Sequence, residues 1–383
     1  MRSDRTGIRR RDVLCAGGAG ALAVIVHALL GTAEVVRAEG IAGSVPEVDS
    51  LTIHVVTDNY QFAIAPNPDV PGVEVQHFGW GIAPGQPPDR TLFSEFGLSL
   101  HAESQRGSES RRVLIDFGFT PQALNNNIDL LGVEPSKLDA LVLSHGHYDH
   151  FGGLVGFLRR SSGRIVSGLP FYVGGEDCFC SRELVGPPVR NFGVLDRIAL
   201  QQANLTVTYA PGPVLVASHG FCTGKVALRS FERPLSPTSM RIGVDHRVGC
   251  YPDRLPKEER TKVIVPDQFR HEIATCFNVK HRGLIVLTSC SHRGVINTIQ
   301  QAQAVSGVDK VHAVVGGFHL APYPEDYVRQ TVAALKEMAV EHVIPLHCTG
   351  ELFNEIAKAE IPDRLIRAYT GTRLAFGVNQ QRG

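Results

Sequence analysis

The chain alternates short apolar runs with turn residues, a pattern that predicts many short strands. Apolar residues at intervals of three and four predict helices between them, and Thr120 and Pro121 favour the start of the first one. The predicted strands are 51–56, 113–116, 141–144, 171–173, 205–209, 214–217, 284–288, 311–315 and 343–346, and the predicted helices are 123–131, 294–305, 326–338 and 351–359.

Strands and helices are mixed in both halves of the chain, which favours an α/β fold with sheets covered by helices over an all-β sandwich. Two segments interrupt the pattern: 65–90 is rich in Pro and Gly, and 234–259 is polar. Both are predicted to be long loops. In a compact domain such loops are usually functional lids or insertions without regular structure, and the pattern leaves both roles open.

The N-terminal segment resembles an export signal. Arg10 and Arg11 are followed by Asp12 and the apolar pair Val13 and Leu14, as in the twin-arginine consensus, and a glycine-rich apolar stretch comes next. We therefore predict a twin-arginine-type signal peptide at 1–38, a linker at 39–50, one domain at 51–377 and a tail at 378–383.

This prediction implies the twin-arginine export machinery as a partner and the periplasm as the location. The alternative is a single membrane anchor. The apolar stretch is short for a bilayer core of about 30 Å and is followed by small residues, which favours a cleaved signal.

The charge balance argues against a nucleic-acid partner. The chain has 38 basic and 38 acidic residues; the first 38 positions hold six of the former and three of the latter, so the remainder has 32 and 35. A mildly acidic domain has no broad positive field to attract a phosphate backbone. We therefore expect a small-molecule substrate, while the oligomeric state stays open.

The eight cysteines give little sign of disulfide bonds. Cys15 would leave with the signal peptide, and Cys178 and Cys180 are too close in sequence for an ordinary disulfide. No second pair accompanies them to complete a structural zinc site. We predict that the chain has no disulfide framework and that its cysteines are small buried side chains.

The strongest chemical pattern is His145-x-His147-x-Asp149-His150, directly after the predicted strand at 141–144. Chance would produce it in roughly one in a thousand chains of this composition. Histidines two residues apart point the same way as a strand ends. Three imidazoles and a carboxylate suit one or two divalent metal ions, above all zinc, with manganese or iron as alternatives.

Asp116 ends another predicted strand and is expected to contact the histidines of this centre on the side away from the metal. Metal-bound histidines usually donate their second ring N–H to a carboxylate or a carbonyl group. We therefore predict that Asp116 accepts such a hydrogen bond and does not bind the metal itself.

The motif preceded by Asp116 resembles that of the metallo-β-lactamase superfamily, and two later segments resemble its further motifs. They end in His292, within Ser289-Cys290-Ser291-His292, and in His347. The resemblance implies a four-layer αββα sandwich. It also implies two metal positions, one bound by His145, His147 and His292 and the other by Asp149, His150 and His347.

More of the chain resembles one subgroup, the dihydropterin aminobenzene ribofuranosyl phosphate synthase-like proteins. The matching segments include 57–59, 95–99, 289–297 and 316–320. This resemblance points to Asn59 and Glu95 as residues of the substrate pocket. Phe96 stands where related sequences commonly have histidine, so the loss of this polar group implies a different substrate.

The chain departs from the superfamily in one further respect. Most binuclear hydrolases of the superfamily have an Asp between the third and last motifs that bridges the two ions, whereas the corresponding strand here ends in Gly317-Phe318-His319. We interpret His319 as a proton donor or a substrate contact. The alternative is an ordinary hydrogen-bonded histidine at a strand end.

These features together predict a metal-dependent hydrolase. Asp149 would orient a metal-bound hydroxide, and His319 would protonate the leaving group. The predicted substrate is a small ester, lactone, amide or phosphoester. Two alternatives stay open: a transferase of the synthase type, whose pterin substrates belong in the cytoplasm, and a metal-binding protein without catalysis.

Overall fold

The computed structural model describes residues 35–37, 41, 43–79, 89–235 and 237–377. Apart from 35–37, the predicted signal peptide lies outside these described residues, and so does the predicted tail. Val45 and Val48 are buried and the second strand begins at Glu47, so part of the predicted linker packs with the domain.

The described residues form 23 strands and seven α-helices. The strands are β1 (Val35–Arg37), β2 (Glu47–Val48), β3 (Ser50–Thr57), β4 (Asp69–Val70), β5 (Val73–Gln76), β6 (Ser99–Arg106), β7 (Glu109–Ile115), β8 (Ala140–Leu143), β9 (Pro170–Val173), β10 (Ser181–Leu184), β11 (Arg190–Asn191), β12 (Thr206–Tyr209), β13 (Val214–Val216), β14 (Gly220–Cys222), β15 (Thr238–Arg241), β16 (Gly243–Asp245), β17 (Val248–Cys250), β18 (Ile264–Pro266), β19 (Thr275–Val279), β20 (Gly283–Leu287), β21 (Val311–Gly317), β22 (His342–Leu346) and β23 (Arg373–Phe376). The helices are α1 (Pro121–Leu130), α2 (Tyr148–Phe151), α3 (Leu154–Arg160), α4 (Arg197–Gln202), α5 (Val295–Ser306), α6 (Glu325–Glu337) and α7 (Glu351–Glu360).

Two large mixed sheets form the centre of the fold. The first has the strand order β1-β12-β9-β8-β7-β6-β3-β23-β5-β4, and the second has the order β13-β14-β19-β20-β21-β22, with β2 added beside β19. Strands β7, β8 and β9 run parallel to one another, as do β20, β21 and β22. Strands β8 and β21 are buried along their whole length, which explains why neither shows a regular alternation of apolar and polar residues.

Three apolar clusters show how the layers stack. One lies between the sheets and joins residues such as Leu100 and Val142 of the first sheet to Ile285 and Val315 of the second. A second joins the outer face of the first sheet to helices α1, α3 and α4, and a third joins the second sheet to α5, α6 and α7. The order is helix, sheet, sheet, helix, so the predicted four-layer αββα sandwich is confirmed.

The predicted helices are confirmed to within about two residues at each end, the usual uncertainty of a helix boundary. Helix α1 shows why its start was readable: the side chain of Thr120 accepts a hydrogen bond from the backbone N–H of Ala123, and Pro121 occupies the first helical position.

The prediction that 234–259 is one long loop is wrong. Strands β15, β16 and β17 lie within it, and β15 pairs with β10 and β18 in a small separate sheet. These strands are only three or four residues long and partly exposed, so they carry no apolar run. The predicted loop 65–90 likewise contains the short hairpin of β4 and β5, and 80–88 lies outside the described residues.

The prediction of no disulfide framework is also wrong, because Cys180 and Cys250 form a disulfide bond. They are 70 residues apart, and the 3₁₀ turn Glu176–Phe179 next to β10 meets β17 only in the folded chain, so local spacing could not reveal the pair. Five further cysteines are free and buried, as predicted: Cys178, Cys222, Cys276, Cys290 and Cys348.

Membrane-spanning helices were sought in the described part of the chain. Each helix there is too short or too polar to cross a bilayer.

Replacing both Cys180 and Cys250 by Ser should lower the free energy of unfolding by roughly 2–4 kcal/mol, because the unfolded chain gains the freedom of a long open loop. Urea denaturation with and without a reductant measures this. The reductant should destabilise the wild type and leave the double variant unchanged; equal midpoints for both oxidised proteins would contradict the disulfide.

Candidate metal centre

The predicted ligands follow strand ends that meet at one side of the molecule. His145 comes just after β8 in the first sheet, whereas His292 and His347 follow β20 and β22 in the second. The carboxyl ends of parallel strands lie at the same edge of a sheet, which is where α/β folds usually bind ligands. His319 follows β21 and lies at this edge too.

Three histidines form the first group. The ring centroids of His145 and His147 are 4.8 Å apart, those of His147 and His292 are 4.8 Å apart, and those of His145 and His292 are 4.9 Å apart. All three side chains are buried. Their rings thus surround one point, as the sequence resemblance implies for the first metal position.

The second group is Asp149, His150 and His347. Nε2 of His347 lies 3.2 Å and Nε2 of His150 lies 3.7 Å from Oδ2 of Asp149. The centroids of His150 and His145 are only 4.2 Å apart, so the two groups are neighbours. The structure therefore brings all six predicted ligands together.

Asp116 lies behind both groups. Its Oδ2 accepts a hydrogen bond from Nδ1 of His150 at 2.7 Å, and its carboxylate also accepts from the backbone N–H and the hydroxyl of Ser144. The hydroxyl of Ser144 is 2.9 Å from Nδ1 of His145. Because these contacts use Nδ1 of both histidines, their Nε2 atoms are the candidate metal ligands.

His147 is oriented from the other side. Its Nε2 is 2.9 Å from the hydroxyl of Thr238, which leaves Nδ1 as its candidate ligand atom. Thr238 begins β15, in the segment predicted as a loop. Its role depends on a contact between residues 91 positions apart, so no local pattern could identify it.

His292 is fixed by two neighbours that the sequence analysis did not identify. The ring of Phe269 stacks on it with a centroid distance of 3.7 Å and an interplanar angle of 6°. The carboxylate of Glu272 accepts hydrogen bonds from the backbone N–H groups of His292 and Arg293 at 2.7 and 2.8 Å. These contacts position the ring while leaving both of its nitrogens without a hydrogen-bond partner among the described residues.

His347 is held by Asp58 and Asn59. Its backbone N–H donates to Oδ1 of Asp58 at 2.7 Å, and the side-chain amide of Asn59 donates to its carbonyl oxygen at 2.8 Å. Oδ1 of Asn59 also lies 3.3 Å from Nδ1 of His347. Asn59, predicted as a pocket residue, lines the adjoining cleft and orients a candidate ligand as well.

Glu95, the other predicted pocket residue, has its carboxylate elsewhere. It accepts hydrogen bonds from the backbone N–H groups of Phe119 and Thr120 and from the Thr120 hydroxyl, at 2.6–2.9 Å. It therefore organises the start of α1 and is absent from the described lining of the cleft. The next residue, Phe96, lines the cleft instead of Glu95, and its ring centroid is 4.7 Å from that of His347.

His319 lies between the first group and the cleft. Its ring centroid is 4.0 Å from that of His292, and one of its ring nitrogens lies within 4.8 Å of the Sγ atoms of Cys290 and Cys348. It also lines the cleft. This position is compatible with the predicted substrate-facing role of His319.

Five non-glycine residues of this region have left-handed backbone conformations, with φ of 55° at Asp116, 49° at Phe269, 55° at Ser291, 45° at His319 and 50° at His347. Such values are uncommon for residues with a side chain. Backbone strain of this kind clusters at functional sites, where the surrounding structure holds it in place.

A cleft of about 990 Å³ opens beside the two groups. His319 and His347 form part of its floor. Much of the wall is apolar and comes from separate parts of the chain, including Phe96, Leu184, Val185, Leu235, Pro237 and Pro322.

Comparison with known families explains this arrangement. The family model described as the metallo-beta-lactamase superfamily matches residues 106–222, which include the motif at 145–150. The chain carries a metallo-β-lactamase domain. A solved structure described as a metal-dependent hydrolase of the beta-lactamase superfamily is 24% identical, covers 84% of this chain and 98% of that one, and superposes with a TM-score of 0.60. This likeness supports the four-layer fold.

Two curated relatives come from Methanocaldococcus jannaschii. One is 7,8-dihydropterin-6-methyl-4-(beta-D-ribofuranosyl)-aminobenzene-5′-phosphate synthase, 26% identical over 291 residues that make up 74% of this chain and 91% of the relative. The other is an uncharacterised protein, 24% identical over 287 residues that make up 74% of this chain and 94% of the relative. The metallo-β-lactamase domain is therefore homologous to the synthase.

The charge state of the metallo-β-lactamase site suits cation binding. Burial, together with the neighbouring imidazoles, lowers the pKa of His145 and His292 well below 6.5. Burial also lowers the pKa of His147, against the opposing charge of Asp149. Although burial alone would raise it, the pKa of Asp149 is held below its ordinary value by His150 and the other neighbouring histidines. Neutral imidazoles and an ionised carboxylate are the forms that bind metals. His347 differs: against the effect of burial, Cys348 and Asp149 raise its pKa to about 9, so a cation in the second position must displace its proton.

The residues present thus fit the divalent metal ions that the family implies. Several buried atoms face the centre of the site without a hydrogen-bond partner among the described residues: Nε2 of His145, both ring nitrogens of His292 and Oδ1 of Asp149. Imidazole nitrogens and a carboxylate oxygen form a donor set typical of zinc.

Gly146 of the metallo-β-lactamase motif has no room for a side chain. A Cβ atom there would lie 2.5 Å from both Nη1 of Arg182 and the carbonyl oxygen of Cys178. Gly146→Ala should therefore displace His145 and His147 and weaken zinc binding by roughly 10- to 100-fold, the range seen when supporting contacts are lost. Competition with a zinc chelator measures the affinity. Gly212→Ala, where a Cβ would have nothing within 4 Å, is the matched control; equal affinities for both variants would contradict the packing argument.

The stability of the metal-free protein should fall as the pH drops from about 7 to about 5. The pKa of His145, His147 and His292 is lowered in the folded state and returns to about 6.5 on unfolding. Below pH 6.5 the unfolded chain therefore binds protons that the folded chain does not, and stability is lost. Tm measured by calorimetry should decrease over this range, and less so in the variant His145→Ala, His292→Ala. A wild-type Tm that stays constant would contradict the depressed pKa values.

Proposed function

We propose that the protein is a metal-dependent hydrolase that cleaves a carboxylic ester, lactone or amide bond in a substrate with a sizeable apolar part. The observation that carries this proposal is the convergence of two groups of buried metal-ligand side chains beside a largely apolar cleft. Apolar clefts with a few convergent polar groups are the usual form of small-molecule sites.

In this proposal His145, His147 and His292 hold one divalent cation, and Asp149, His150 and His347 hold a second. Bound there, a cation supplies a lowered pKa for water and polarises the oxygen of the bond to be cleaved. The side chains behind the ligands keep the rings in position, so that little reorganisation is needed during the reaction.

Asp149 has a second task in this proposal. Oδ2 of Asp149 faces Nε2 of His347, whereas Oδ1 has no hydrogen-bond partner among the described residues. Since its pKa is held low, Asp149 is ionised at neutral pH and its Oδ1 accepts a hydrogen bond. It orients the attacking water toward the substrate in the cleft.

His319 serves as the proton donor. It lines the cleft, so in this proposal a small rotation of the ring brings an N–H group to the leaving group of a bound substrate. Its place beside His292 keeps it close to the reacting bond. Positioned general acids contribute about 10²–10⁴-fold to a reaction rate.

The lining of the cleft argues against a highly phosphorylated substrate. Besides His319 and His347, the basic residues in its described lining are Arg190 and Arg367, and Arg367 lies 3.5 Å from the carboxylate of Glu351. Phosphate groups are usually bound by several cations or by a helix N-terminus. The N-terminus of α7 does line the cleft at Gly350, but its first turn carries the carboxylate of Glu351, which opposes a bound anion. An apolar ester, lactone or amide therefore suits the cleft better than a phosphoester.

A transferase of the synthase type is the second candidate. It is favoured by the homology to the Methanocaldococcus jannaschii enzyme, which covers 91% of that relative. Two observations weigh against it: the scarcity of cations in the cleft, and the replacement of a histidine common in related sequences by Phe96. A metal-binding protein without catalysis is disfavoured by the open cleft at the site.

We also propose that the protein is exported through the twin-arginine route to the periplasm. The disulfide between Cys180 and Cys250 supports this, since disulfides persist mainly in oxidising compartments. The export motif itself lies outside the described residues. A domain that folds and binds its metal before export is compatible with buried ligands.

Hydrolysis is tested with the purified protein, its metal content and a panel of aryl esters, lactones, amides, phosphomonoesters and phosphodiesters. We expect one or two zinc ions per chain and activity on an apolar ester, lactone or amide. His147→Ala should lower the metal content and reduce kcat/KM by roughly 100-fold or more, because water activation is lost. His246→Ala, at an exposed side chain outside the cleft, is the control.

Two results would contradict the proposal. A wild-type protein with less than stoichiometric metal, or hydrolysis unchanged by His147→Ala, would exclude metal-dependent hydrolysis at this site. Product formation that requires a second organic substrate and does not use water would identify the transferase instead.

A further inference from the structure

Cys290 lies at the centre of the two ligand groups. Its Sγ is 3.1 Å from Nε2 of His150, and the residue is buried. The Sγ atom and one ring nitrogen each of His145 and His292 lie within 4.8 Å of one another. The same holds for Sγ and one ring nitrogen each of His150 and His347. Among the described residues, Cys290 is therefore common to both metal positions.

The loop that carries Cys290 is fixed in place. Ser291 adopts a left-handed conformation, and its hydroxyl donates to the carbonyl oxygen of Gly317 at 3.1 Å. The carboxylate of Glu272 accepts hydrogen bonds from the backbone N–H groups of His292 and Arg293. The turn that presents His292 therefore also holds the sulfur of Cys290 between the two groups.

The first group contains no carboxylate. His145, His147 and His292 are imidazoles, and the described side chains that cluster with Cys290 as possible ligands are all histidine or cysteine. The strand end 317–319 provides no carboxylate between the two positions. A thiolate is both anionic and a preferred zinc ligand.

The spacing is compatible with shared coordination. Zinc–sulfur bonds are about 2.3 Å and zinc–nitrogen bonds about 2.0–2.1 Å long, so ligand atoms around one ion are roughly 3–4 Å apart. The 3.1 Å between Sγ of Cys290 and Nε2 of His150 falls in this range, and the other ligand atoms of each group lie within 4.8 Å of one another. Small side-chain rotations would bring each group onto one ion.

We propose that Cys290 supplies a sulfur ligand shared by the two metal positions, in place of the bridging carboxylate. When metal binds, the S–H bond breaks, the proton passes to solvent, and sulfur lone pairs form the metal–sulfur bonds without any oxidation. Cys290 is thus a metal ligand and not merely a small core residue. This inference rests on the metal centre of the proposed function.

Cys348 is the matched control because it lies beside Cys290 and is also buried. The two Sγ atoms are 3.2 Å apart, and Cys348 with Cys290 and His319 forms another possible ligand group. It shares no such group with His145, His150, His292 or His347 in the described chain. Cys348→Ser therefore changes the same environment while keeping the proposed bridge.

The test uses the full chain, stripped with a chelator under reducing conditions and reloaded with Co²⁺. Cobalt bound to a thiolate shows a near-ultraviolet charge-transfer band, which cobalt bound only to nitrogen and oxygen lacks. We expect two cobalt ions per chain and the band in the wild type and in Cys348→Ser. In Cys290→Ser the band should disappear and at least one ion should bind more than tenfold more weakly.

Each other outcome overturns the inference in a distinct way. A band that persists in Cys290→Ser excludes this residue, and a band lost only in Cys348→Ser assigns the sulfur ligand to Cys348. The band with a single ion per chain excludes sharing. Two bound ions without a band in the wild type exclude a sulfur ligand but leave the proposed hydrolase intact, whereas no bound ion overturns both proposals.

A second measurement on the unmodified chain keeps the test decisive if Cys290→Ser does not fold. X-ray absorption of the zinc-loaded wild type should show a zinc–sulfur distance of about 2.3 Å with about one sulfur per zinc. A first shell made only of nitrogen and oxygen would overturn the inference.

Discussion

Buried imidazole nitrogens without hydrogen-bond partners are costly, at about 1–3 kcal/mol for each unsatisfied group, and this fold concentrates several of them at one point. His145 and His292 each have such nitrogens, and Asp149 has a carboxylate oxygen in the same condition. Carboxylates and hydroxyls behind the rings hold them in this arrangement. A divalent cation would satisfy the inward-facing ring nitrogens together, and a bound water would satisfy the Asp149 oxygen.

The fold makes this arrangement possible by joining its two sheets at the centre. The motif residues 145–150 follow a strand of the first sheet, whereas His292 and His347 follow strands of the second. A shared cation would therefore connect both layers, and binding should couple to stability. The adjoining cleft places His319 and an apolar wall where a substrate can reach the same atoms, which links the packing of the sandwich to the proposed hydrolysis.

Local patterns revealed much of this molecule but not its long-range contacts. The contiguous motif 145–150 could be predicted because its residues are neighbours in sequence. The helices could be predicted from the spacing of their apolar residues and from their capping residues. The disulfide of Cys180 with Cys250 and the contact of His147 with Thr238 join residues 70 and 91 positions apart. Glu95 was assigned to the pocket by resemblance, whereas its hydrogen bonds at the start of α1 depend on how two loops meet in space.

The central claim is that two groups of side chains from different sheets bind metal beside a substrate cleft. Anomalous diffraction at the zinc edge from crystals of the zinc-loaded protein tests it most directly. We predict peaks among His145, His147 and His292 and among Asp149, His150 and His347, each about 2.0–2.3 Å from its ligand atoms. The absence of any peak at these residues, or peaks only elsewhere in the molecule, would contradict the account.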